Sequence, residues 1–348
     1  MAMDQADRRD RPWACLAVLR SLVLMGVAAG LLAVPLRETA GAQGASVEQL
    51  LSGVVRIKTF INPDGRTSET LGREREGSGI VIGSDGLILT IGYLMVEAQS
   101  AEVTDNDGKR VSADIVGYDY DTGFGLLRAA ATLATRPVPI GKSSDLAVGD
   151  RVLVAAGGGL AYVGPATVAA KRPFAGSWEY LLEEAIFTTP PMPWWSGAAL
   201  LTREGKLVGV GSLVVGDASG KGRPDPGNMF VPVDRLLPIL AELIADGRVS
   251  GPARPWVGLT TEERDGRLVV QRVARGGPAE KAGIAAGDVV VAVGSVRPRS
   301  LAELYRAIWN LGNAGVTVPM EVSRKGAPMT VEVRSMNRLD HLKLGSSF

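Results

Sequence analysis

The sequence predicts a mainly β protein with two domains, a β-barrel or β-sandwich followed by a smaller α+β domain. Its 348 residues include 44 glycines and 20 prolines, a content typical of chains with many turns. Short β-branched runs recur at close intervals, most clearly in residues 77–90, where a Ser-Asp-Gly turn joins two apolar runs. With 46% hydrophobic residues, a chain of this length can bury two cores.

The first domain is predicted over residues 43–247. After a short lead, residues 54–58 form the first strand, and residues 150–156, 163–169 and 185–189 have the same pattern. The glycines at 157–159 are predicted to form a bend, since neither a dinucleotide nor a P-loop signature surrounds them.

A helix is predicted to end the first domain. Asp234 is the expected N-cap and Gly247 the expected C-terminal glycine. One apolar face would contain Leu236, Leu237, Leu240, Leu243 and Ile244.

The second domain is predicted over residues 256–335, after a linker at 248–255 and before a tail at 336–348. Strands are expected at 268–273, 288–293, 316–322 and 329–333. Ser300 and Glu303 have the spacing of a capping box, which predicts a helix from Ser300 to Leu311.

Residues 1–42 have the pattern of an export signal. Basic residues precede an apolar run at 21–36, and Ala40-Gly41-Ala42 follows it as a small-residue cleavage site. Because the run is shorter than the roughly 20 residues that a spanning helix needs, we expect cleavage and export to the periplasm or cell envelope. The alternative is an inner-membrane anchor through residues 21–36.

Charge and cysteine content exclude several classes of function. The formal net charge is +1, and removal of residues 1–42 leaves equal numbers of basic and acidic residues, so no basic surface predicts nucleic-acid binding. The single cysteine, Cys15, lies in the predicted leader, so the mature chain has no thiol for a disulfide, a metal or catalysis. No cofactor and no metal are predicted.

Several motifs, in this order, resemble the HtrA/DegP-type trypsin-like serine proteases. They are GSGIVI (77–82), DGLILT (85–90), GYD (117–119) and VPVD (231–234). Farther along, GPAEKAGI (277–284) and AGDVV (286–290) resemble a bacterial PDZ domain. The resemblance covers about residues 50–335 and implies a trypsin-like two-β-barrel protease domain, with a His-Asp-Ser triad between the barrels, followed by a PDZ domain.

The resemblance places Ser196 at the nucleophile position, but the other two triad positions differ from the family. Tyr93 stands where the histidine is expected, and Gly123 stands where the aspartate is expected. Trp194 replaces the glycine whose N–H helps to bind the oxyanion. A serine hydroxyl is a weak nucleophile until a base takes its proton. A tyrosine, with a pKa near 10, is a poor base at neutral pH.

No other residue is a clear substitute for that base. The single histidine, His341, lies in the predicted C-terminal tail, where a solvated side chain is expected. Lys142, Lys171 and Lys206 are alternatives in principle, but their spacing does not support any of them.

Trp194 and Trp195 lie among prolines immediately before Ser196. Large aromatic side chains are usually buried, so we expect these two to pack and to plug the old substrate cleft. The alternative is an aromatic binding surface.

The second domain is predicted to bind peptides, because a PDZ-like fold adds a strand to a sheet edge and holds a terminal carboxylate in backbone N–H groups. The resemblance assigns this to Trp256, Val257, Gly258 and Leu259, together with Leu304, Tyr305 and Ile308 of the facing helix. The alternative is that these apolar residues only fill a core.

Two hypotheses remain open. In the first, the protein is an exported pseudoprotease that binds peptides or unfolded protein segments, alone or in homo- or hetero-oligomers with active relatives. In the second, it is an active serine endopeptidase of envelope protein quality control, using Ser196 with a non-standard base.

Overall fold

Two closed barrels and a five-stranded sheet make up the protein in the computed structural model, which describes residues 47–344. The predicted mainly β class is confirmed. The predicted leader, residues 1–42, lies outside the described residues.

The first barrel contains six antiparallel strands in the order β1-β2-β3-β6-β5-β4. The predicted hairpin is present, since β2 and β3 pair on either side of the Ser-Asp-Gly turn with Ile80 opposite Leu89. The strands are β1 Val54–Ile61, β2 Glu74–Val81, β3 Leu87–Ile91, β4 Ala98–Thr104, β5 Arg110–Tyr118 and β6 Phe124–Ala129.

The second barrel has the order β10-β11-β12-β9-β8-β7. Two of its strands are much longer than predicted, because β8 and β9 continue past the barrel as a hairpin that pairs as far as Gly176 and Tyr180. The strands are β7 Arg151–Ala155, β8 Val163–Gly176, β9 Tyr180–Thr189, β10 Ala199–Leu201, β11 Leu207–Val215 and β12 Gly227–Pro232.

The C-terminal sheet runs in the order β13-β14-β15-β16-β17, so β13 is an edge strand. Four of its strands match the predicted ones, whereas β13 was not predicted because its sequence, LTTEER, has little apolar alternation. The strands are β13 Leu259–Arg264, β14 Arg267–Val273, β15 Val289–Val293, β16 Thr317–Arg324 and β17 Ala327–Arg334.

The helices of the described residues are short. The predicted N-cap at Ser300 is confirmed, since the Ser300 hydroxyl accepts a hydrogen bond from Glu303 N. Glu303 in turn accepts from Arg299 N. The helices are α1 Val47–Leu51, α2 Ser68–Leu71, α3 Leu240–Asp246, α4 Pro278–Lys281, α5 Leu301–Trp309 and α6 Arg338–His341.

The prediction that Asp234 caps a helix is wrong. Its carboxylate accepts hydrogen bonds from Ser143 N and Ser144 N instead, and α3 begins six residues later. Leu237 is 56% exposed, so the predicted apolar face is only partly buried. The end of the helix is as predicted, because Gly247 adopts the left-handed conformation of a C-terminal cap.

Apolar side chains hold these parts together. One buried cluster includes residues of both barrels, such as Phe124 of β6 and Phe187 of β9. A second fills the C-terminal domain around Leu304, and it also contains Leu181 of the β8–β9 hairpin. All the described residues belong to one compact unit. Within residues 47–344, none of the helices has the length and apolar content needed to cross a membrane.

Candidate active site and peptide groove

Ser196 lies on a tight loop between β9 and β10, as predicted. Its carbonyl accepts a hydrogen bond from Ser78 N at 2.8 Å, which ties the loop to the first barrel. Gly197 follows with φ +71°, and a Cβ at this position would lie 2.0 Å from Ser78 O. Only glycine fits this close approach, so the loop geometry requires glycine at position 197.

Tyr93 meets Ser196 across the two barrels. It lies in the turn after β3, where the buried guanidinium of Arg75 donates to the Tyr93 carbonyl at 2.7 Å. The Tyr93 hydroxyl lies 2.8 Å from Ser196 Oγ and 2.9 Å from the carbonyl oxygen of Ser212. The position that the family resemblance gave Tyr93, beside the serine, therefore agrees with the geometry.

The directions of these two hydrogen bonds follow from the groups involved. A carbonyl oxygen can only accept, so both contacts form together only when Tyr93 donates to Ser212 and Ser196 donates to Tyr93. Burial raises the pKa of the Tyr93 phenol to about 12, although the Ser196 contact lowers it slightly. At neutral pH Tyr93 is thus a protonated phenol, which cannot take a proton from the serine.

Gly123 stands at the position where the family has its aspartate. Its carbonyl accepts a hydrogen bond from Gly92 N at 2.7 Å, which places it next to the Tyr93 turn. Gly123 has φ +80°, and a Cβ there would lie 3.2 Å from the Tyr180 hydroxyl. This position has no group that could orient a base, and its backbone conformation is strained for any other residue.

The other candidate bases contact different groups. The prediction that His341 is a solvated tail residue is wrong, because its ring is 9% exposed and packs on Trp256 at 4.7 Å. Lys171 donates to the carbonyls of Ser143 and Leu146. Lys142 and Lys206 line a separate surface pocket.

An open cleft of about 580 Å³ lies beside Ser196, between the strands of the first barrel and the loop that contains Trp194. The prediction that Trp194 is packed is wrong: its side chain is 42% exposed and contacts Tyr162 edge-on at 5.0 Å. Because it lines the cleft rather than filling it, the cleft remains accessible. Lys58 also lines the cleft, and contacts with Glu74 and Glu76 raise its pKa, so it stays cationic.

The C-terminal domain contains the second candidate site, at the segment 256–259, which we call the carboxylate loop. Val257 N, Gly258 N and Leu259 N all point at one acceptor, with donor–acceptor distances of 2.6 to 3.0 Å. Trp256 differs from the other three, because its N–H bonds to Met336 O. Its ring packs on His341.

Helix α5 faces β13 across what we call the peptide groove. Of the three predicted helix residues, Leu304 and Ile308 are at most 1% exposed and belong to the core of the domain. Tyr305 reaches into the groove, where its hydroxyl donates to the carbonyl of Gly176 at 2.6 Å.

The acceptor at the carboxylate loop is Glu179, which the sequence did not predict as a functional residue. Its carboxylate binds the three N–H groups, and it comes from the turn between β8 and β9 of the barrel domain. The sequence indicated this hairpin only by the 15 polar, apolar and aromatic residues between the predicted strands 163–169 and 185–189, a segment long enough for an extended hairpin.

Comparison with known families agrees with both domains. The trypsin-like peptidase domain family matches residues 77–210, and the PDZ domain family matches residues 255–334. The fold and the site thus define a trypsin-like peptidase domain joined to a PDZ domain.

Two curated relatives are also named as serine proteases. The chain is 31% identical to the serine protease PepD of Mycobacterium tuberculosis over 312 residues, covering 83% of this chain and 65% of PepD. It is 28% identical to a probable periplasmic serine endoprotease DegP-like of Chlamydia trachomatis over 272 residues, covering 74% of this chain and 53% of that protein. The chain belongs to the HtrA-type serine protease family.

A solved structure agrees at the level of the fold. A variant of the HtrA-type protease AlgW, solved with a tripeptide, aligns at a TM-score of 0.50 and 19% identity, over 84% of this chain and 96% of the other. The chain spans less than two thirds of the length of the two curated relatives above.

Proposed function

We propose that the protein is an exported HtrA-like pseudoprotease that binds peptides or unfolded protein segments through its PDZ domain. The observation that carries this proposal is the hydroxyl pair of Ser196 and Tyr93, in which the serine donates a hydrogen bond to a neutral phenol that cannot accept its proton.

Loss of the general base lowers the turnover of a serine protease by a known factor. Disabling a catalytic triad lowers turnover by about a million-fold, because the serine proton has no acceptor in the transition state. Among residues 47–344, Tyr93 is the side chain that hydrogen-bonds to the Ser196 hydroxyl, and Gly123 provides no carboxylate behind it.

Labelling of the serine tests this proposal. The purified protein should neither react with a fluorophosphonate nor digest casein, because Ser196 has no general base. The Ser196→Ala variant is the matched control, and both proteins should give the same background. Stoichiometric labelling that disappears in Ser196→Ala would overturn the proposal.

That contrary result would favour the second candidate, a serine endopeptidase of envelope protein quality control with a non-standard base. The open cleft beside Ser196 is the observation in its favour, since a substrate chain has access to the hydroxyl.

Export to the periplasm or cell envelope is part of the proposal. It is supported by the signal pattern of residues 1–42 and by the periplasmic names of several relatives. We also propose that the protein assembles with itself or with active relatives, and that the leader is removed rather than kept as an anchor.

A further inference from the structure

The tip of the β8–β9 hairpin, residues 176–180, occupies the peptide groove of the PDZ domain. The hairpin belongs to the second barrel, yet its tip contacts the carboxylate loop, the edge strand β13 and helix α5. These are the three surfaces with which this type of fold holds a bound peptide.

Glu179 is held at the carboxylate loop by one Oε on Gly258 N and Leu259 N, at 2.6 and 2.7 Å, and the other on Val257 N at 3.0 Å. The side chain is 2% exposed. Such charge-assisted bonds from several N–H groups to one carboxylate are the way in which a backbone loop captures a terminal carboxylate.

The backbone of the tip also pairs with the sheet. Two residues before Glu179, the carbonyl of Ser177 accepts from Thr261 N of β13 at 2.8 Å. The preceding carbonyl, of Gly176, accepts from the Tyr305 hydroxyl of α5. The tip therefore lies beside the edge strand β13 and forms one backbone hydrogen bond with it, with the Glu179 carboxylate at the carboxylate loop.

Apolar and ionic contacts flank the tip. Leu181 is 4% exposed and packs within the apolar core of the PDZ domain. Glu183, farther along β9, forms an exposed ion pair with Arg306 of α5. The Tyr120 hydroxyl lies within hydrogen-bond distance of the carbonyls of Trp178 and Glu179 and supports the turn from the barrel side.

Glu179 has a backbone conformation that aims its side chain at the loop. Its φ of +58° is in the left-handed region, which is unfavourable for non-glycine residues. The three hydrogen bonds to the carboxylate loop offset this cost, so the strained turn and the filled loop belong to one arrangement.

We propose that residues 176–180 are an internal ligand of the PDZ domain, in which the Glu179 side-chain carboxylate takes the place of a peptide's terminal carboxylate. A peptide with a free C-terminus then enters the groove only after the hairpin tip leaves it. This inference rests on the proposed peptide-binding function and adds the competition that controls it.

The first test needs no peptide. Hydrogen exchange at the amides of Val257, Gly258, Leu259 and Thr261 should be slow in the wild-type protein. Glu179→Ala should speed it at least 10-fold, and Glu179→Gln should have an intermediate effect because its amide oxygen still accepts one bond. Glu183→Gln, at the same interface but away from the loop, is the control and should leave these amides protected. Unchanged exchange in Glu179→Ala would overturn the internal ligand.

The second test measures competition. A fluorescein-labelled library of decapeptides with random free C-termini should bind Glu179→Ala at least 10-fold more tightly than it binds the wild type or Glu183→Gln. The same library with amidated C-termini should bind none of them. Equal affinity of wild type and Glu179→Ala overturns the internal ligand while leaving peptide binding intact. Absence of binding by every variant, with fast exchange in Glu179→Ala, overturns the proposed peptide-binding function itself.

Discussion

At the scale of single residues, the proposed inertness of Ser196 follows from the direction of its hydrogen bond. The serine hydroxyl has a neighbour at hydrogen-bond distance, but that neighbour is an acid with a pKa of about 12 whose own proton points to the Ser212 carbonyl. The motif spacing predicted that Tyr93 would lie beside Ser196. It did not predict the Ser212 contact, because β11 comes from a distant part of the chain.

Glu179 could not have been found from the sequence for a related reason. A glutamate between a tryptophan and a tyrosine in a turn has no motif, and its functional geometry depends on a left-handed backbone and on N–H groups that are 78 to 80 residues away. Sequence patterns report local periodicity, whereas this contact is set by the packing of two domains.

The close approach at Gly197 gives a prediction at this scale. Gly197→Ala should lower the free energy of unfolding by about 2 to 4 kcal/mol, because its Cβ would lie 2.0 Å from Ser78 O and its φ of +71° disfavours a side chain. Urea denaturation measures the change. Gly108→Ala is the control, since Gly108 also has positive φ but no atom within 4 Å, and it should lose only about 1 kcal/mol. Equal losses for both would contradict steric crowding at the serine loop.

At the scale of secondary structure, predictions were correct where neighbouring residues determine the end of a helix. They were wrong where a side chain hydrogen-bonds to a distant part of the chain instead. The capping box predicted α5 to within two residues at its C-terminal end, because Ser300 and Glu303 satisfy backbone donors close to them. Asp234 failed as a cap because the loop at Ser143 and Ser144 offers two N–H groups that pair with its carboxylate.

The cap of α5 can be tested directly. Ser300→Ala should lower the free energy of unfolding by about 1 kcal/mol, since Glu303 N loses its acceptor at the start of the helix. Ser295→Ala, on an exposed turn nearby, should change it by less than about 0.5 kcal/mol. Chemical denaturation of the two variants decides the matter, and an unchanged stability for Ser300→Ala would show that the cap is dispensable.

At the scale of the whole molecule, the C-terminal segment joins the PDZ domain to the first barrel. The His341 carbonyl accepts from Arg66 of the barrel, and the Glu97 carboxylate, also of the barrel, accepts from Lys343 N. Glu97 binds the N–H groups of Arg66 and Thr67 as well, so one carboxylate fastens two segments that are far apart in sequence.

His341 makes this junction sensitive to acid. Burial lowers the pKa of its imidazole to about 4, with further lowering by Arg66, Arg338 and Lys281 and a smaller opposing effect of Glu97. A folded pKa below the unfolded value of 6.5 means that the unfolded chain binds the proton first. The contribution of His341 to stability should therefore fall as pH falls from 6.5 to 4, by about 2 to 3 kcal/mol. The buried carboxyl of Glu179 acts in the opposite direction, because burial raises its pKa to about 6.

The single histidine makes that prediction easy to measure. Its Hε1 proton gives a single resonance of that type in a proton NMR titration, which should shift near pH 4 in the folded protein and near pH 6.5 in urea. His341→Gln should reduce the dependence of stability on pH in this window. A folded-state titration near pH 6.5 would rule out the buried, neutral imidazole.

If the hairpin tip is an internal ligand, the occupied groove sets an affinity threshold for every competing chain end. When a site is open for only a small fraction of the time, the apparent dissociation constant equals the intrinsic constant divided by that fraction. Abundant, weakly matching C-termini in a crowded compartment would then leave the groove untouched, and only a tightly matching or locally concentrated one would displace the hairpin. If the tip is an internal ligand, Glu179 sets the selectivity of the groove, and its three hydrogen bonds add to the other contacts between the two domains.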